Sequence, residues 1–124
     1  MAIVISRSES QLAATTSFQA MDNLGGATVS SSFTVPTNVS SIKQLTISVT
    51  ADGAEEFVPL VKISGNSMRD GDAVFSGAPV MGAIAMAQIQ YDTDLAVQPG
   101  NSCEFSIAVT DAAVISAVVT AQFA

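Results

Sequence analysis

Apolar and polar residues alternate with a period of two over several stretches, the spacing of strands that bury one face and wet the other. The clearest stretch is Ile42 to Thr50, where Leu45, Ile47 and Val49 alternate with Gln44, Thr46, Ser48 and Thr50. Cys103, Phe105, Ile107 and Val109 alternate in the same way with Glu104, Ser106, Ala108 and Thr110. From Ala113 to Phe123, Ile115, Ala117, Val119, Ala121 and Phe123 share one face, and Val114, Ser116, Val118, Thr120 and Gln122 share the other, with no charge in the segment. Glu56 to Ile63 predicts a further strand with Phe57, Pro59, Val61 and Ile63 on one side. Pro59 has no backbone donor, so an edge or a bulge is expected there. Residues 28–35 place Val29, Phe33 and Val35 on one face before Pro36 ends the run.

Gly65-Asn66-Ser67, Asp70-Gly71-Asp72 and Ser76-Gly77-Ala78-Pro79 are turn signals, so any strand between them is short. Val80 to Tyr91 is ambiguous, since Met81 to Ala87 has helical propensity; Gly82 and the ending Ile89-Gln90-Tyr91 favour a strand. Asp92-Thr93-Asp94 and Gln98-Pro99-Gly100-Asn101 are expected to be turns. With Ile3 to Ile5 as a short first strand, the pattern predicts an all-β fold of about eight antiparallel strands. That number favours a single jelly-roll β-sandwich over a seven-stranded immunoglobulin sandwich. The Ser- and Thr-rich segment 6–27 holds few large apolar residues and closes on Gly25-Gly26. The expected organisation is therefore an N-terminal extended arm over 1–27, free to lie on a neighbouring subunit, and a β-sandwich domain over 28–124.

Composition agrees with the strand reading: Val, Ile and Thr supply 33 of the 124 residues, and these stiff side chains suit a pleated surface. The formal charge is -7, from 11 acidic and 4 basic residues, which argues against a phosphate-backbone binder. The charge is unevenly placed, because Arg7, Glu9, Asp22 and Lys43 cancel within residues 1–50. There is no His and no Trp, and Cys103 is the only thiol. These absences remove the usual general base and any disulfide within one chain. No basic stretch precedes the apolar residues of Met1 to Ile5, so no export signal is expected. The uncharged stretch Ala73 to Tyr91 is interrupted by Gly77, Pro79 and Gly82, so no membrane span is expected.

Asp70 with Asp72 and Asp92 with Asp94 each set two carboxylates two residues apart, and two such loops converging would offer the oxygen-rich shell that calcium prefers. Against this, Asp favours turns for its own hydrogen bonding, and neither loop has the length or closing Glu of an EF-hand. Asp52, Glu55 and Glu56 form the densest acidic group, as glycosidic cleavage would require, but one Tyr and no Trp make a poor sugar platform. Acyl transfer lacks both a His and a Gly-x-Ser-x-Gly turn. No catalytic or cofactor-binding residue is therefore assigned.

The stretch Phe33-Thr34-Val35-Pro36-Thr37-Asn38-Val39-Ser40-Ser41-Ile42, continuing into Leu45-Thr46-Ile47-Ser48-Val49, resembles the opening of small jelly-roll proteins of virus particles. Val97-Gln98-Pro99-Gly100-Asn101, leading into Phe105-Ser106-Ile107-Ala108-Val109, is similar to their late strands. The resemblance implies a structural role in the virion as a capsid, penton or decoration subunit, without catalysis or cofactor. Its implied partners are copies of itself, as a homotrimer or homopentamer, and a major capsid protein, with neither nucleic acid nor membrane. The resemblance is one of strand rhythm and carries over no site residues. A ligand-binding sandwich such as a carbohydrate-binding module is the alternative, and a small carboxylate enzyme stands third.

Overall fold

The computed structural model describes residues 3–53, 55–81 and 86–124. Its strands are β1 (Ile3–Ala14), β2 (Gln19–Ala20), β3 (Asn23–Leu24), β4 (Ala27–Thr28), β5 (Ser32–Thr34), β6 (Ser41–Ala51) and β7 (Glu56–Phe57). They continue as β8 (Pro59–Ser64), β9 (Ala73–Ser76), β10 (Val80–Met81), β11 (Met86–Ala96), β12 (Ser102–Val109) and β13 (Ala113–Phe123). No helix occurs among the described residues.

The pairing is nested. β1 pairs with β13, β2 and β5 with β12, β6 with β11, and β8 with β9, all antiparallel. The chain is thus a long hairpin of strand pairs with the β8–β9 turn at its tip. Folding that hairpin over itself joins β13 to β6 and β12 to β8, which yields one sheet in the order β1-β13-β6-β11 and another in the order β2-β12-β8-β9, with β5 also on β12. This is a single jelly roll, as the strand pattern predicts. Between the sheets lie the inward positions of the alternating runs, among them Leu45, Ile47, Val61, Phe105, Ile115 and Phe123, all fully buried. Phe33 stands edge-on to both Phe105 and Phe123, at 5.2 and 6.1 Å between ring centroids, and so links the two layers.

Several expectations change. Ile3 to Ala14 is not an arm: it is a strand paired in register with β13 from Ile3 opposite Phe123 to Ala14 opposite Ala113, with one bulge between Glu9 and Leu12. Its Ser-rich outer positions and the inward Arg7 and Glu9 disguise it. Arg7 lies over the Phe33 ring at 5.2 Å and donates to the Ser30 carbonyl at 3.0 Å, while Glu9 accepts from the Asp22 amide at 3.2 Å. The remainder of 15–27 crosses to the other sheet as β2 and turns back as the β3–β4 hairpin. There Gly25 and Gly26, at φ +60° and +92°, supply the two positive φ angles of a tight two-residue turn.

The strand expected over 28–35 shrinks to Ser32–Thr34, because the Val29 amide closes the hairpin on Asp22 and Val35 bonds to Asn101 and Gly100 instead. Pro59 stands on neither an edge nor a bulge. It is the first residue of interior strand β8, and the run from Glu56 breaks at Val58, whose amide donates to Thr110 Oγ1 at 2.9 Å. Asp92-Thr93-Asp94 is not a turn but part of β11, at the bulge where Thr93 donates to the Ile42 carbonyl at 2.6 Å. In the ambiguous segment, Met81 belongs to β10 and Met86 and Ala87 to β11, whereas residues 82–85 lie outside the described residues.

Candidate functional site: the outer face of the four-stranded sheet

Residues opposite one another across an antiparallel pair point to the same side, so the register assembles the outer face row by row. One row is Val4, Gln122, Gln44 and Asp92; the next is Ser6, Thr120, Thr46 and Gln90; the third is Ser8, Val118, Ser48 and Gln88; the fourth is Ser116, Thr50 and Met86. Of these fifteen positions only Asp92 carries charge. The rest are hydroxyls, amides and three apolar side chains, and the apolar ones are open to solvent: Val4 at 60%, Met86 at 70% and Val118 at 44%. Ser6 and Thr120 share a hydrogen bond of 2.8 Å across the strands, and Ser116 donates to Asp52 at 3.0 Å where the sheet ends. A recess of about 150 Å³ sinks into this face between Ser8, Ser48, Thr50, Met86, Ser116 and Val118, with Glu9 and Ala117 also lining it, and Glu9 is its one ionisable group.

The other sheet differs on its outer side. Glu104 and Lys62 point outward there; Ser31 donates to Glu104 at 2.8 Å, and Lys62 lies 4.9 Å from the centre of the Phe18 ring. A cleft of about 280 Å³ at one end of the sandwich is lined by Ala13, Ala14, Thr15, Glu55, Ala112, Ala113 and Val114, a set in which Glu55 is the sole ionisable group.

The carboxylates singled out for calcium are not gathered into one shell. Asp70 and Asp72 stand exposed in the β8–β9 turn, while Asp94 on β11 is bound by Lys43 at 2.6 Å and Asp92 faces the Gln44 amide at 3.5 Å. Lys43 holds the Asp94 carboxyl below its ordinary range, first by the hydrogen bond and then by its charge. Among the described residues no three His, Cys, Asp or Glu side chains lie close enough to hold a metal ion. Asp52 is engaged by Ser116, and Glu56 is exposed on β7. Cys103 is buried, and desolvation pushes its thiol up to about 11, out of the range of a reactive cysteine.

No family model matches the chain. No curated protein matches it in sequence. Solved structures do match in shape. The globular domain of a zebrafish complement 1qA protein aligns over 97% of this chain and 94% of its own, at 12% identity and a TM-score of 0.56. A carbohydrate-binding module from the glycoside hydrolase family 9 protein Cel9A of Ruminococcus flavefaciens aligns over 99% and 98%, at 11% identity and 0.51. The tobacco streak virus coat protein aligns over 99% and 85%, at 12% identity and 0.46. What this chain shares with the first two is the jelly-roll sandwich. At such identity the likeness transfers no function.

The uncharged face is a property of the assembled sheet. Its two central strands were visible in sequence as wet faces without charge at Gln44 to Thr50 and Val114 to Gln122, but their juxtaposition with β1 and β11 follows from the nested pairing alone.

Proposed function

We propose that the protein is a structural subunit that assembles with copies of itself, in a virus particle, and that it works by contact and without catalysis. The observation that carries the reading is the outer face of the four-stranded sheet. A soluble surface carries charge at roughly a quarter to a third of its positions, so fifteen positions would hold about four charges, against one here. Depletion of charge is the compositional mark of an interface centre. On a chain of formal charge -7, this is also a face on which two copies can meet without setting acid against acid. The arm has no place in the reading, since Ile3–Ala14 is committed to its own sheet. The trimeric or pentameric state, contact with a major capsid protein and location in the virion rest on the strand-rhythm resemblance and belong to the proposal.

The carbohydrate-binding alternative has less support. Sugar sites use exposed aromatic faces, whereas Phe18, Phe33, Phe75 and Tyr91 are half-buried and Phe57, Phe105 and Phe123 buried. Light scattering and electron microscopy on the purified protein test the reading. Rings or shells are expected, and Thr46→Lys with Val118→Glu should disperse them while preserving the fold. A wild-type chain that stays monomeric at millimolar concentration would overturn it.

A further inference from the structure

A jelly roll leaves four sheet edges, and an uncovered edge is a template for another chain. Three of them are blunted here. The β1 edge turns Arg7 and Glu9 inward and is bound by the β3–β4 segment, whose Gly25 amide donates to Ser8 Oγ at 2.9 Å. The edge beside β12 is split between β2, of two residues, and β5, of three. Strand β9 has only four. Strand β11 has eleven, and among the described residues nothing pairs with its outer side. From Met86 to Asp92 it runs in unbroken register with β6, with no Pro, Lys or Gly and no charge before Asp92; the bulge and the Lys43–Asp94 pair come only afterwards. Its inward residues Ala87, Ile89 and Tyr91 remain half-exposed.

We infer that this edge binds the same edge of a second copy, antiparallel and centred on Ile89, so that two four-stranded sheets become one of eight. The inference rests on the reading of the protein as a self-assembling subunit and names one of its contacts. Charge selects the geometry. Parallel pairing would set Asp92 against the second copy's Asp92 at about 5 Å, whereas the antiparallel register sets it against Met86 and separates the two carboxylates by about 20 Å, beyond the screening length. In that register Gln88 lies opposite the second copy's Gln90, and amides both donate and accept, so each pair satisfies itself. Ile89 meets Ile89, and the half-exposed inward row gains cover. The contact is isologous and closes on itself as a two-fold. It therefore joins larger rings and does not build them alone.

Hydrogen exchange read by mass spectrometry over residues 86–92, as a function of protein concentration, tests this, together with two double variants. Above the association midpoint, exchange in this segment should slow at least ten-fold. Gln88→Glu with Gln90→Glu should weaken association at least ten-fold by setting like charges across both pairs. Gln88→Glu with Gln90→Lys should restore it, because each Glu then faces a Lys. Association with unchanged exchange over 86–92, or with no difference between the two variants, would overturn the edge contact and leave self-assembly standing. A monomer at every concentration would overturn both.

Discussion

The thiol of Cys103 is raised to about 11 chiefly because burial disfavours the thiolate. A raised acid has a definite sign in linkage: the neutral form is favoured by folding, and between the ordinary thiol value and about 11 rising pH favours the unfolded, ionised chain. Ellman's reagent at pH 8 should therefore leave the folded protein unlabelled and label one thiol per chain in urea. Asp94 carries the opposite sign. Its carboxyl is held low by Lys43, so the pair contributes above the ordinary carboxylate range, and the contribution is lost as pH falls through the lowered value. Lys43→Ala should return the Asp94 titration, followed by NMR, towards the ordinary value. Gly65 is constrained by backbone: φ is +122°, and a Cβ there would overlap the Ser102 carbonyl oxygen. Gly65→Ala should lower stability by about 2 kcal/mol or more in urea denaturation.

At the scale of strands, the side where β11 and β9 lie adjacent is tied by Tyr91. Its hydroxyl donates to the Ser76 carbonyl at 2.6 Å, and its ring packs 5.2 Å from Phe75. Tyr91→Phe removes the bond and keeps the packing, so a loss of about 1 kcal/mol is expected by denaturant titration. Removing residues 1–14 is a different matter, because it takes away a whole neighbour of β13. The truncated chain should lose its cooperative melt in circular dichroism, where a detachable arm would leave it unchanged. Strands with one buried and one wet face were legible from sequence: β6 and β13 fall almost where the alternation places them, and so does β12, although Ser106 and Ala108 on its second face are buried as well. Strand β1 was legible only over Ile3 to Ile5, since on an edge the inward positions beyond them can hold Arg7 and Glu9, whose heads reach out to Ser30 and Asp22. The aspartates at 92 and 94 misled for a related reason. Turn-forming residues also serve at a bulge, and nothing local separates the two uses.

For the whole molecule, the distribution of charge matters more than its total. The jelly roll and its inward rows follow from the period of two, whereas the neutral face and the free β11 edge emerge only when the nested pairing sets distant strands side by side. A body of formal charge -7 that associates through a neutral face should associate more strongly as salt screens its acidic loops. Raising salt from about 0.05 to about 0.5 M should therefore increase the assembled fraction in sedimentation, the reverse of an interface built on ion pairs.

The nested order also bears on how the protein is made. Among the described strands β13, the last in chain order, lies in the sheet between β1, the first, and β6. Until it emerges from the ribosome β1 has no neighbour in its sheet, and β6 stands open on that side. Docking of β13 is then the step that turns a chain with sticky strands into a folded subunit, and chaperone protection is needed most in the interval just before it.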